Sequence, residues 1–116
     1  MYEVELFRDD RGVCPFLEWL EDVKDIRARA KILARLRRAS EGNFGDWKRL
    51  ENADGIFEMR EPYGPGFRIY YALMGRKIVI VLAGSTKRDQ DRAIVKAQKY
   101  LGQHKRGDGH AKKHES

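Results

Sequence analysis

The sequence predicts a single α+β domain, and three observations carry that expectation. Apolar residues recur at helical spacing as far as about Ser40, and from Trp47 onward the period becomes strand-like. Three strand patterns then follow in succession, GIFEMRE, FRIYYAL and KIVIVLAG, before a last helical stretch. The 116 residues, 41% of them hydrophobic and 36% charged, suffice for one modest core with a heavily ionic surface and are too few for two ordinary domains.

Each element has its own signal. YEVELF alternates Tyr2, Val4 and Leu6 against Glu3 and Glu5, the period of a half-buried strand, and DDRG ends it. Pro15 suits the first turn of a helix on which Phe16, Leu17, Leu20 and Val23 share a face. A second helix, rich in Arg, Ala and Leu, is expected from about Asp25 to Ala39, with Ile26, Ala30, Leu33 and Leu36 toward the core, and GNFG stops it. KIVIVLAG is apolar on both faces, as a central strand is, and Gly75 suits a tight hairpin before it. Thr86 and Asp89 have the spacing of a capping box, opening a final helix with Ala93, Ile94, Ala97 and Leu101 on one side. The expected order is β-α-α-β-β-β-α. Residues 1–101 form the domain, and 102–116, which lose apolar periodicity, are expected to be a flexible basic tail.

Charge and composition narrow the function. A net charge of +6 and a pI near 9.6 favour a polyanionic partner, nucleic acid first and an acidic protein second. Cys14 is the only cysteine, so an internal disulfide is excluded and no zinc-ligand spacing exists. The longest apolar run, Ile78 to Ala83, is too short to span a bilayer, and the N-terminus lacks a signal-peptide pattern. A cytoplasmic protein without a membrane partner is expected.

The candidate chemistry lies with arginines. His104, His110 and His114 all fall in the expected tail, and no pattern of converging carboxylates, no P-loop and no other metal or cofactor motif is present. On FRIYYAL, Arg68, Tyr70 and Ala72 point away from Phe67, Ile69, Tyr71 and Leu73. On GIFEMRE, Glu58 and Arg60 share a face with Ile56. Antiparallel pairing of the two strands brings Arg60, Arg68, Tyr70 and Glu58 together, with Lys87 and Arg88 at the start of the last helix, a plausible phosphate-binding concavity. An arginine on such a strand is otherwise solvated or ion-paired, Glu58 being the obvious partner. A second basic feature is the helical stripe Arg27, Lys31, Arg35 and Arg38, a candidate polyanion contact to which Lys48 is added.

The succession GIFEMR, YGPGFRIYY, KIVIVLAGSTK and QDRAIVKA, approached through NFGDWKRL, resembles the RelE/HigB-like toxins of bacterial toxin–antitoxin modules, especially the phage-derived, HigB-like killer-protein branch. The likeness runs from about Tyr2 to Leu101. It implies a small RelE-like fold, an antiparallel sheet with helices packed on it. It also implies a ribosome-dependent mRNA endonuclease in which the 2′-hydroxyl attacks the adjacent phosphate without a metal, silenced by a cognate helix-turn-helix antitoxin. Arg68 matches the family's central-strand arginine, Arg88 with Lys87 the basic pair after the last strand, and Arg60 the basic position ending the preceding strand. Some relatives carry a tyrosine where this sequence has Ile94 and a lysine where it has Glu58, so Tyr70, Glu58 and Lys87 are the candidates for acid and base. The alternative is a non-catalytic RNA- or ribosome-binding protein, or a degenerate toxin retained for antitoxin-dependent repression.

Overall fold

The computed structural model describes the backbone of residues 1–115 and the side chains of residues 1–107, so the side chains of His110 and His114 lie outside the described residues. The elements are β1 (Glu3–Leu6), α1 (Pro15–Asp22), α2 (Ile26–Ser40), β2 (Trp47–Arg49), β3 (Phe57–Glu61), β4 (Phe67–Met74), β5 (Ile78–Thr86), a 3₁₀ turn (Lys87–Asp89) and α3 (Gln90–Glu115). The α+β class is as the sequence indicated. Two features of the expected sheet are corrected. A further strand, β2, joins its edge, and the sheet is mixed rather than antiparallel: in the order β1-β5-β4-β3-β2, β1 runs parallel to β5.

The chain builds three layers. Pro15 starts α1, and Phe16 and Leu20 are buried on it. Asp25 caps α2 by accepting from the backbone N–H groups of Arg27 and Ala28. Both helices pack on one face of the sheet against Met59, Phe67, Ile69, Tyr71, Val79 and Val81. On the other face, Ala93, Ala97 and Leu101 of α3 cover Ala72, Ile80 and Leu82, with Ile56 and Ala53 beside them. β5 is therefore buried on both faces, and its apolar run follows from that position. Gly75, at φ +61°, turns the chain between β4 and β5.

Three expectations about the helices change. The core side of α2 is Ala28, Ile32, Leu36 and Ala39, whereas Ile26 is 78% exposed and Leu33 48%. Both rows are apolar at helical spacing, and the sheet selects one. α3 continues past Leu101, where a flexible tail was expected. Its next turn has a core contact of its own, because the His104 ring meets Phe7 edge-on with centroids 6.3 Å apart. Thr86 and Asp89 meet through their side chains at 3.5 Å, and neither caps a backbone N–H, because a 3₁₀ turn intervenes before α3. Among the described residues no helix is long and apolar enough to cross a membrane.

Candidate functional site

Register decides what the strands bring together. β3 and β4 pair Arg60 with Arg68 and Glu58 with Tyr70, and β4 and β5 pair Arg68 with Ser85 and Tyr70 with Ala83. Cross-strand partners share a face. Arg60, Arg68 and Ser85 thus form one row on the α3 side of the sheet, and Glu58, Tyr70 and Ala83 the next. β2 extends the second row, since Lys48 pairs with Glu58. Lys48 therefore stands beside the strand-borne cluster and not with the helical stripe. The pairing shifts between Tyr70 and Tyr71, so that Leu82 becomes an extra residue on β5, a bulge where the charged end of the face meets the apolar end under α3.

Glu58 is the centre of the cluster. Its side chain is fully buried, and Oε1 lies 3.0 Å from Arg68 Nε and 3.2 Å from Arg60 Nε. The contact to Arg60 is a hydrogen bond. The contact to Arg68 is close without the N–H aimed at the oxygen, so Arg68 Nε and Glu58 Oε2 are both buried with no hydrogen-bond partner. Arg68 is 9% exposed, and its Nη1 donates to the carbonyl of Phe67 at 3.2 Å. Arg60 is half-buried at the rim.

Tyr70 lies beneath this group, with its hydroxyl 3.1 Å from Ser85 Oγ. Burial pushes its pKa up to about 12, so the phenol holds its proton across the physiological range. Ser85, buried and bonded to Tyr70, belongs to the site and was missed in the sequence. Its one legible signal is a hydroxyl next to Gly84 in a strand otherwise apolar to that point.

The Gly64-Pro65-Gly66 loop links the cluster to Lys87. Gly66 has φ +85°, its carbonyl accepts from Lys87 N–H at 2.9 Å, and a Cβ there would sit 3.8 Å from Arg68 Nη1 and 3.6 Å from Lys87 Cβ. Lys87 and Arg88 are exposed on the 3₁₀ turn that follows. Tyr63 ties the same loop to α2 by donating to Asp25 Oδ2 at 3.0 Å, a bond that lowers the Asp25 pKa and raises that of Tyr63. The result is a mainly cationic group, Arg60 and Arg68 with exposed Lys87 and Arg88 nearby, around one buried carboxylate, a charge balance that can attract an oxyanion.

The helical stripe divides. Arg27 and Arg38 are exposed, and Lys31 lies over the Tyr63 ring, 5.3 Å from its centroid. Arg35 leaves the stripe altogether: its Nη2 donates to the carbonyls of Arg60 at 2.7 Å, Asp46 at 3.2 Å and Phe44 at 3.5 Å. It pins the approach to β2 against the end of β3, and its guanidinium occupies the space a Cβ at Gly45 would need. Arg35 is a structural staple and not a candidate RNA contact.

Two clefts flank the start of α3. One, about 320 Å³, runs between α1 and α3 over Gly84 and Ser85, with Trp19, Glu18, Arg92 and Lys96 in its walls. The other, about 380 Å³, lies between α3 and the β2–β3 connection and includes Lys48, Arg49 and Asp91. Among the described residues no three His, Cys, Asp or Glu side chains converge as a metal site would require.

No protein-family model matches the chain. It is 45% identical over 83 residues to an uncharacterized protein of Haemophilus influenzae, an alignment covering 72% of this chain and 82% of that protein.

Proposed function

We propose that this chain, which belongs to the same family as the Haemophilus influenzae protein, is a RelE/HigB-like toxin: a ribosome-dependent mRNA endonuclease silenced by a cognate helix-turn-helix antitoxin. The observation that carries the reading is Glu58, buried between Arg60 and Arg68 with one oxygen unpartnered, at the end of the sheet face that α3 leaves charged. A buried ion pair of this kind adds little stability compared with an apolar pair of similar volume, so folding alone does not account for it, and the reading assigns the pair to a substrate. The strand order, with β1 added in parallel to an antiparallel β5-β4-β3 unit, is compatible with a RelE-like arrangement.

The chemistry follows from the groups present. RNA cleavage by the 2′-hydroxyl forms a bond from that oxygen to phosphorus and breaks the bond to the 5′-oxygen, and negative charge grows on the phosphoryl oxygens. Arg68 and Arg60 stabilise that charge with planar, permanently protonated forks. The incoming phosphate competes with Glu58 for the same guanidiniums. Binding therefore releases the carboxylate, whose free Oε2 takes the 2′-hydroxyl proton, while Lys87 protonates the leaving oxygen. Tyr70 is given neither role in this scheme, because its hydroxyl is engaged with Ser85 Oγ and its raised pKa holds the phenol proton across the physiological range. Arg88 and Lys48 extend the cationic surface along the RNA.

One observation favours a second reading. Arg68 is only 9% exposed and is already neutralised in part by Glu58, as in a protein that binds RNA or the ribosome without cutting. Induced expression in a bacterium, with mRNA 5′ ends mapped by primer extension, separates the two. The enzyme reading expects new ends within translated codons for the wild type and a fall of about 100-fold or more for Arg68→Lys, which keeps the charge but loses the fork. Growth arrest with intact mRNA overturns it in favour of the binder.

A further inference from the structure

The outward face of α2 remains unaccounted for by the sheet-borne site. Ile26, Ala30, Leu33 and Arg37 follow one another along it at helical spacing, with the large aliphatic Ile26 78% exposed and Leu33 48%. Exposed Arg27 and Arg38 border this ridge on one side and Arg29 on the other, and no acidic residue occurs between Ile26 and Ser40. The ridge spans about three turns, roughly 16 Å.

We propose that this face docks an acidic, amphipathic segment of a partner protein, its apolar side chains on Ile26 and Leu33 and its carboxylates on the bordering arginines. The pattern selects among occupants. Phosphates gain nothing from two exposed aliphatic side chains, and α2 offers no aromatic ring on which a base could stack. A second copy would set one cationic helix against another. A bilayer surface calls for more apolar anchors than two, aromatic ones included. An acidic helix with a narrow apolar stripe matches both the charge and the ridge, and Ala30 allows close approach. The inference does not depend on RNA cleavage, since binding is read directly on the purified chain.

The test uses a synthetic peptide with leucines at positions i, i+3, i+4 and i+7 and glutamates between them, its scrambled isomer, an oligouridylate, and phosphatidylcholine vesicles containing phosphatidylglycerol. Fluorescence anisotropy or vesicle co-sedimentation measures each against the wild-type chain and an Ile26→Ser/Leu33→Ser variant. Both replaced side chains are largely exposed, so an unchanged far-UV circular dichroism spectrum is expected. The amphipathic peptide is expected to bind about tenfold more tightly than its scramble, and the variant to lose about that factor. Equal binding of the scramble, or an unaffected variant, overturns the proposal by reducing the face to a bare cationic surface. Loss of oligouridylate or vesicle binding in the variant, with the peptide unaffected, assigns the face to RNA or lipid and overturns it equally.

Discussion

The two faces of the sheet are built from the same strands and solve different problems. Under α1 and α2, Met59, Ile69, Tyr71, Val79 and Val81 make an unbroken apolar layer, and Phe44, Phe57 and Tyr71 stack ring on ring. Under α3 the apolar layer stops at Tyr70, and the next positions are Glu58, Arg68, Ser85 and Arg60. Charge is tolerated on that face because each buried group has a nearby counter-charge or hydroxyl. The difference sets the candidate cluster apart: Glu58, Arg60, Arg68 and Ser85 lie on the stretch of sheet that the covering helix does not make apolar.

The contrast can be broken most strongly at Glu58. Glu58→Ala leaves Arg68 in a closed space without its carboxylate and is expected to cost about 3–5 kcal/mol by urea unfolding. A Glu58→Met/Arg68→Met double variant should regain most of that loss, and under the proposed function it should not cleave mRNA, so the two measurements separate a folding role for the pair from the proposed role at a substrate. Failure of the double variant to regain stability would mean that the pair is part of the fold.

On the apolar side the sharpest probe is Gly84. A Cβ there would collide with the Trp19 ring, which lies directly on the backbone. Gly84→Ala is expected to cost about 1–3 kcal/mol through displacement of the indole, visible as a change in tryptophan fluorescence, without altering the Arg68–Glu58 pair.

The smallest effect concerns Tyr70. Its folded pKa, about 12, lies above the ordinary tyrosine value of about 10, so the folded state keeps a proton that the unfolded chain loses. The stabilisation is complete below pH 10 and disappears as the pH rises toward the folded value. Phenolate absorbance should therefore lag behind that of exposed tyrosines in an alkaline titration. Tyr70→Phe should flatten this limb of the stability curve at a cost near neutrality of about 0.5–1.5 kcal/mol, from the lost bond to Ser85.

Much of this division is legible in the sequence, and the reason is periodicity. With a period of two, YEVELF, GIFEMRE and FRIYYAL sort their side chains by face, so the company of Glu58, Arg60, Arg68 and Tyr70 can be read before their register is known. The misread parts depend on contacts distant in the chain. Trp47–Arg49 is a three-residue strand exposed throughout, without an apolar alternation to announce it, so the sequence does not show that Lys48 stands beside Glu58. On α2, Ile26-Ala30-Leu33 and Ala28-Ile32-Leu36 are both apolar rows, and intrinsic pattern does not rank them. Arg35 reads as one more cation because the carbonyls it holds, on Phe44, Asp46 and Arg60, are brought to it only by the fold.

The parallel pairing of β1 with β5 has a consequence for the order of assembly. β3, β4 and β5 follow one another through short connections, whereas Glu3 lies beside Ile78 and Leu6 beside Val81. Loop-closure entropy favours the local hairpins first and the distant contact last. β1 is made well before its partner β5, so its pairing is expected only once β5 has been synthesised. On that ground the hairpins that carry Arg60, Arg68 and Ser85 are expected to form ahead of the β1–β5 pairing, with the charged cluster built on the local part of the sheet.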